Sequence, residues 1–134
     1  MIDRIHHINF LVKDLDAAVE RYKALLGDVE LHYGDLEGRG VRTARFRLGE
    51  SWLVLVQPTS ADGAPALHLA QHGEGFFLLS LGVTSLTEAV GEVSARGGKF
   101  ASGKPRQGLE DWLVSDLDDQ QFFGAQLQLC ESAK

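Results

Sequence analysis

Arginine side chains crowd one short segment of an otherwise acidic chain. Arg39, Arg42, Arg45 and Arg47 lie close together, although the chain carries 13 Lys and Arg against 19 Asp and Glu, a net charge of −6. On a strand, Arg45 and Arg47 would project from one face because alternate residues share a face. A planar guanidinium pairs well with a carboxylate or phosphate. The pattern therefore indicates an anionic ligand, with a solvated strand or a paired interface as the competing interpretations.

Other residue types with chemical potential occur singly or in pairs. His68 and His72 have the i, i+4 spacing with which two imidazoles can share a metal ion on one helix. No third ligand lies near them in the sequence, so we expect no metal there. Trp52 and Trp112 could stack on an aromatic ligand or simply be core residues of strands. Cys130 has no second thiol for a disulfide or a thiolate metal cage, and we expect it to be buried.

The elements that position these residues begin with a βαβββ unit in the first half of the chain. Alternation of apolar and polar residues predicts strands, and an i, i+3, i+4, i+7 apolar series predicts a helix that begins after Asp14 and stops at Gly27. The predicted strands are Ile5–Val12, Val29–Leu36, Val41–Leu48 and Trp52–Gln57.

The same unit returns in the second half. A shift of 71 residues lays Asp14 on Ser85, which caps a second helix, and Gly27 on Gly98, where that helix ends. The further predicted strands are Phe76–Thr84, Lys99–Ser102, Trp112–Asp116 and Ala125–Cys130, after a connector with one helical turn near Ala66–His72. We therefore predict one duplicated domain, with module one over residues 1–58, a connector over 59–74 and module two over 75–134.

Composition narrows the class of protein. At 134 residues, with 44% hydrophobic and 24% charged residues, the chain is long enough for one domain with a core. The net negative charge disfavours binding to a phosphate backbone, so nucleic acid is not an expected partner. No apolar run reaches the length of a membrane helix, and the first four residues do not resemble a signal peptide. We expect a cytoplasmic α+β protein that has no membrane partner.

Four stretches of the sequence carry a family resemblance. They are IHHINFLVKDL at residues 5–15, WLVLVQP at 52–58, GEG at 73–75 and FGAQLQL at 123–129. They resemble the vicinal oxygen chelate superfamily, which includes glyoxalase I, methylmalonyl-CoA epimerase, extradiol dioxygenases and the bleomycin and fosfomycin resistance proteins. The resemblance implies two tandem βαβββ modules whose curved mixed sheet surrounds a cavity, but such a fold does not by itself select a reaction.

The resemblance also locates the positions that hold a divalent metal in that superfamily. One position comes from each of the first, fourth, fifth and eighth strands, and here they fall on His7, Val54, Leu78 and Gln128. Val54 and Leu78 are aliphatic, and Gln128 is an uncharged amide where the superfamily usually has Glu. A divalent ion needs several oxygen or nitrogen donors. A shift of one residue in the fourth or fifth strand restores no ligand. We therefore expect a lost metal site and no cofactor, with a divalent metal as the alternative.

The same resemblance implies which residues face the cavity. The predicted ligand-binding residues are His7, Asn9, Arg45, Trp52, Ser80, Gln126 and Gln128. Such an apolar pocket with a few polar anchors is typical of small-molecule sites. His7 is the one candidate for catalysis, as a general base, and is otherwise a hydrogen-bonded histidine without chemistry.

Three functions remain open at this point. The first is a protein of the glyoxalase/bleomycin-resistance type that binds a small anionic or aromatic molecule in the sheet cavity without a metal. The second is a metal-dependent lyase, epimerase or dioxygenase of the same superfamily, and the third is a non-catalytic interaction or regulatory domain. A homodimer is also expected, because members of the superfamily commonly pair modules between chains.

Overall fold

The computed structural model describes residues 1–132, apart from the side chain of residue 37. These residues form eight strands and three α-helices. The strands are β1 Ile2–Leu11, β2 Leu31–Leu36, β3 Val41–Leu48, β4 Ser51–Pro58, β5 Gly75–Val83, β6 Arg106–Gln107, β7 Leu113–Asp116 and β8 Leu127–Glu131. The helices are α1 Leu15–Leu26, α2 Ala64–His72 and α3 Leu86–Ala95, with short 3₁₀ turns at Glu37–Arg39 and Asp119–Phe122. None of the helices in this part of the chain is long and apolar enough to cross a membrane.

The chain divides into two compact units. The first unit is His7–Phe77, and the second unit is Met1–His6 together with the residues from Leu78 onward. The first unit has the strand order β2-β3-β4-β1, and the second has β1-β5-β8-β7-β6. β1 pairs with β4 in parallel, and β5 pairs with β8 in parallel. The antiparallel pairs are β2 with β3, β3 with β4, β6 with β7 and β7 with β8. The predicted module limits at residues 58 and 75 stay a prediction.

Two side-chain caps define the start of helix α1, and a glycine defines its end. The Asp14 carboxylate accepts a hydrogen bond from the backbone of Ala17 at 3.1 Å, and the Gln57 side-chain oxygen accepts one from Leu15 N at 2.7 Å. These bonds satisfy two of the amide groups that a helix start leaves without intrahelical partners. Gly27 ends the helix with φ at +79°, a conformation that glycine adopts without strain.

Helix α1 covers one face of the first unit's sheet. Its buried residues pack against the strand residues that alternate toward it, which fixes the register of each strand. The buried residues of this core are Val12, Leu15, Val19, Ala44, Phe46 and Leu55. The residues at the intervening positions of the same strands therefore lie on the opposite face of the sheet.

The second unit repeats this arrangement around α3. Ser85 accepts a hydrogen bond from Glu88 N at 3.3 Å, and Glu131 Oε1 accepts one from Leu86 N at 2.7 Å. These two bonds repeat the caps of α1 at a shift of 71 residues along the helix, so the duplication extends to individual hydrogen bonds. The core under α3 contains Val83, Leu86, Ala89, Leu117 and Leu129.

The predicted strand at Lys99–Ser102 is wrong. This segment forms only one isolated bridge, between Phe100 and Leu117, and the edge strand is β6 instead. The Gly103-Lys104-Pro105 sequence bends the chain before β6, and Arg106 then fastens the edge to β7 through an ion pair with Asp116.

The connector is also more regular than a single turn. Helix α2 has nine residues and carries Pro65 in its first turn, where the missing amide hydrogen costs the helix nothing.

Candidate functional site

The first unit has a polar sheet face on the side away from α1. β1 and β4 pair His7 with Trp52 and Asn9 with Val54, while β4 and β3 pair Val54 with Arg45. Paired residues share a face of the sheet, so four predicted ligand-binding residues come together on this surface. They are His7, Asn9, Arg45 and Trp52.

Trp52 is the centre of a cationic cluster on this face. The guanidinium carbons of Arg45 and Arg47 lie 5.1 and 5.0 Å from the centroid of its ring. His32 meets the same ring edge-on, with 5.8 Å between centroids. A guanidinium over an indole is attracted by the negative face of the ring. Arg45 is only 7% exposed, whereas Arg47 is exposed and donates from Nε to Gly49 O at 2.8 Å.

Glu30 is the carboxylate at the edge of this cluster. Its Oε2 lies 2.6 Å from Nε2 of His32. The hydrogen bond with His32 lowers the pKa of Glu30, and the positive charges of His32, Arg47 and Arg45 lower it further. Glu30 is therefore ionised at neutral pH, and it faces two arginines and a histidine.

His7 and Val54 occupy the two superfamily metal positions in the first unit. His7 is 3% exposed, and its imidazole could serve as a ligand, but Val54 has no donor atom and is 1% exposed. These two positions therefore supply one donor, which does not suit the several-donor requirement of a divalent ion.

The second unit carries the other three predicted ligand-binding residues. Ser80 of β5 pairs with Gln128 of β8, and both are buried on the face away from α3. Leu78 lies on the same face and provides no ligand, so the two metal positions of this unit also supply one donor. Gln126 precedes β8, and its Nε2 donates to Asp119 Oδ2 at 3.1 Å.

Gln128 belongs to a hydrogen-bonded chain that sequence reasoning missed. Its Nε2 donates to Asp116 Oδ1 at 3.0 Å. Arg106 donates to the same carboxylate twice, from Nε to Oδ2 at 2.8 Å and from Nη2 to Oδ1 at 3.1 Å. The strand alternation was visible in the sequence, but only the pairing of Asp116 with Gln128 brings these side chains together.

His68 and His72 of helix α2 lie outside these polar sheet faces. His68 and His72 stack with 4.2 Å between ring centroids, and His68 also meets Phe77 edge-on. Burial lowers the pKa of His68, and the neighbouring charge of His72 adds to this. Among residues 1–132 no third His, Cys, Asp or Glu completes a metal cluster with this pair. The expectation of no metal at this pair rests on that missing donor.

The second unit contains one further pair of potential ligands. One donor atom of His6 lies within 4.8 Å of the Cys130 sulfur. His6 Nε2 already lies 3.1 Å from Ser132 Oγ, and its ring packs edge-on against the buried Trp112. Burial raises the pKa of Cys130 to about 12.

Two open cavities lie elsewhere on the units. One, in the first unit, is bordered by Lys13, Ser60 and Leu69, and one in the second unit is bordered by Leu86, Phe100 and Ser115. Neither is lined by any of the seven predicted ligand-binding residues.

The chain is similar in sequence to one protein family and to a bacterial protein. The family model described as "Glyoxalase/Bleomycin resistance protein/Dioxygenase superfamily" matches residues 6–115. The "Uncharacterized protein YqjC" of Bacillus subtilis (strain 168) is 27% identical over 130 residues, which cover 97% of this chain and 93% of that protein.

Solved structures superpose over almost the whole chain. A variant of Streptomyces coelicolor methylmalonyl-CoA epimerase in complex with 2-nitronate-propionyl-CoA is 30% identical, with a TM-score of 0.92 and 100% of both chains covered. A methylmalonyl-CoA epimerase in complex with methylmalonyl-CoA and NH4+ is 31% identical, with a TM-score of 0.92 and coverage of 99% of this chain and 96% of that one. The hypothetical protein BH1468 from Bacillus halodurans C-125 is 26% identical, with a TM-score of 0.92 and coverage of 98% and 95%.

Proposed function

Because the chain belongs to the glyoxalase/bleomycin resistance protein/dioxygenase superfamily and has a glyoxalase-like α+β fold, we propose that it binds a small anionic molecule without the usual metal. The binding surface is the polar face of the first unit. The observation that carries the proposal is the pair of guanidiniums, Arg45 and Arg47, beside the ring of Trp52.

The charge balance of this face favours an anion. Two arginines and His32 surround the Trp52 ring, and the carboxylate of Glu30 is held by His32 at 2.6 Å. A guanidinium has five N–H donors, so one that lies against an aromatic ring can bond more than one acceptor. A carboxylate or phosphate on a ligand fits a guanidinium through two parallel bonds.

The apolar part of the same face suits a ligand with a short carbon chain. The aliphatic side chains of Val54 and Val56 follow Trp52 along β4 on the same face. Solved relatives are in complex with methylmalonyl-CoA and 2-nitronate-propionyl-CoA. These ligands support a short-chain acyl thioester or its free acid as the ligand class for this chain.

The donor set argues against the superfamily's metal at this site. His7 and Val54 provide one donor in the first unit, and Leu78 and Gln128 provide one in the second. The superfamily commonly uses a divalent ion, but the residues present here do not match its ligand number. The proposed recognition therefore runs through arginine, and no step is assigned to a metal.

Calorimetric titration of methylmalonyl-CoA into chelator-treated protein tests the proposal. Arg45→Met should lower the affinity by about tenfold or more, because hydrogen bonds to charged groups contribute about 1.5–3 kcal/mol. The matched control is Arg42→Met, on the same strand but exposed on the other face, and it should bind as the unaltered chain does. Equal binding by both variants would contradict the proposal.

A second candidate function is epimerisation, which the solved epimerases at 30–31% identity favour. Epimerisation needs a base that removes the hydrogen next to the thioester carbonyl, and His7 is the candidate. The test is deuterium uptake into methylmalonyl-CoA in heavy water, with and without added Mn²⁺ or Co²⁺. Deuterium uptake that requires added metal would contradict metal-free binding and support epimerisation. Binding of methylmalonyl-CoA without deuterium uptake would support metal-free binding.

Pairing with a second copy of the chain remains a prediction. Light scattering coupled to size-exclusion chromatography gives the mass directly, and a mass of two chains would agree with it. A non-catalytic interaction domain is the remaining alternative, and it would show no binding of any acyl thioester or free acid.

A further inference from the structure

We infer that the cavity in the second unit is a separate binding site for a small, neutral, ring-shaped alcohol such as a phenol. The cavity has a volume of about 440 Å³, within the usual range for sites of small molecules. All of its lining residues belong to the second unit, and none of them belongs to the polar face of the first unit. The test of this site is therefore independent of the test on Arg45.

The cavity lies between helix α3, strand β7 and the chain segment that precedes β6. Leu86 and Val90 line it from α3, Ser115 lines it from β7, and Phe100 and Pro105 line it from the segment. None of the lining residues carries a charge. A charged ligand would lose its hydration here without gaining an ion pair, so the site favours a neutral molecule.

The cavity occupies the place where the second unit lacks a full edge strand. In the first unit, β2 pairs with β3 over six residues, beginning with Leu31 and Phe46. In the second unit the equivalent pair, Phe100 with Leu117, is an isolated bridge, and the chain then bends through residues 101–104. The two pairs are equivalent because Leu117 lies 71 residues after Phe46. Since no continuous strand follows the bridge, space remains beside α3.

The side chains at the next equivalent positions enlarge this space. Two residues beyond the first pair, the first unit pairs Tyr33 with Ala44. The same count in the second unit gives Ser102 and Ser115, and both line the cavity. Where the first unit has a tyrosine side chain, the second unit therefore has a hydroxymethyl group. A phenol in the cavity would supply the ring that Ser102 lacks.

Ser115 supplies the hydroxyl group that favours an alcohol. It is 5% exposed, and its side chain makes no hydrogen bond within residues 1–132. A buried hydroxyl without a partner destabilises a folded chain, and the fully buried Ala44 fills the equivalent position without one. The serine hydroxyl donates and accepts, so it can bond a ligand hydroxyl in either direction. The half-buried Phe100 offers an aromatic side chain to the ring of the same ligand.

The probes are phenol, toluene and benzoate, which share one ring and differ in the group attached to it. In spectra of ¹⁵N-labelled protein, phenol should shift the backbone amides of Val90, Phe100 and Ser115 in a saturable way. Benzoate should leave these amides unshifted at the same concentrations, because its charge finds no partner in the cavity. No saturable shift with phenol, or binding of benzoate as tight as that of phenol, would overturn the inference.

Ser115→Ala tests the hydrogen bond. The substitution gives this position the side chain that the first unit has at Ala44, so the fold should tolerate it. The affinity for phenol should fall by about two- to tenfold, as expected for the loss of one hydrogen bond, while the affinity for toluene stays the same. An unchanged affinity for phenol, or an equal fall for both probes, would contradict the role of Ser115.

Ser102→Tyr tests the location of the site. Ser102 is exposed at the cavity, so a tyrosine side chain there should occupy the space and abolish the shifts with phenol and toluene. The matched control is Lys104→Tyr, exposed on the same segment but outside the lining, and it should keep both shifts. Shifts that persist in Ser102→Tyr would place the probes elsewhere and contradict the inference. Ser102→Tyr should bind methylmalonyl-CoA as the unaltered chain does, so the two proposals fail separately.

Discussion

The guanidinium carbon of Arg45 lies 5.1 Å from the centroid of the Trp52 ring, on the sheet face away from α1. Arg47 lies at nearly the same distance from this ring. One aromatic side chain thus organises two cations on neighbouring positions of one face.

Trp52→Leu should weaken binding of an anionic ligand. The substitution removes the aromatic face that orients both arginines, an interaction of about 0.5–2 kcal/mol per cation. We expect affinity for methylmalonyl-CoA to fall by about three- to tenfold, measured by titration calorimetry. Trp52→Phe should retain most of the affinity, and a loss as large as in Trp52→Leu would show that the ring is not acting through its face.

Gln57→Met should destabilise the chain without changing the binding face. The Gln57 oxygen caps Leu15 N at 2.7 Å, and losing a helix cap costs about 0.5–2 kcal/mol. The free energy of unfolding in urea measures the loss. Gln71→Met, at an exposed position of α2, is the control and should leave that free energy within about 0.5 kcal/mol. Equal free energies of unfolding for the two variants would contradict the role of Gln57 as a helix cap.

Glu30 should contribute to the pH dependence of stability in the acid range. Its pKa is lowered from 4.5 by the hydrogen bond with His32, so its ionised form is favoured in the folded chain. This contribution is complete above the ordinary carboxyl value and is lost as the pH falls through the lower folded-state value. Glu30→Gln should therefore flatten the fall in unfolding free energy below about pH 4.5. Parallel pH curves for the unaltered chain and Glu30→Gln would refute this.

Cys130 should not react with thiol reagents in the folded chain. Burial raises its pKa to about 12, so the reactive thiolate is scarce at pH 8, and the side chain is fully buried. Ellman's reagent should label the chain in denaturant but not in buffer. Rapid labelling in buffer would place Cys130 in a different environment.

Sequence reasoning predicted the parts of the fold that depend on local pattern. The helix from Leu15 to Leu26 and strand β3 at Val41–Leu48 are confirmed to the residue, because caps and alternation are encoded within a few positions. The shift of 71 residues is confirmed by the matching caps at Asp14 and Ser85.

The parts that it missed depend on register between distant strands. Asp116 and Arg106 carry no local signal of a site, and only the pairing of β7 with β8 and β6 makes them neighbours of Gln128. The Glu30–His32 pair next to Trp52 was missed for the same reason, because β2 reaches that face through β3. The Lys99–Ser102 strand was wrong because weak alternation was read as a strand where glycine and proline bend the chain.

Metal-free recognition is tested most directly by the affinity for methylmalonyl-CoA before and after exhaustive treatment with a chelator, with the metal content checked by elemental analysis. If recognition runs through Arg45 and Arg47, binding has the same strength in both preparations, with less than a stoichiometric amount of any divalent metal. Binding that disappears on chelation and returns with added Mn²⁺ or Co²⁺ would contradict metal-free recognition and would make the metal-dependent epimerase the better account.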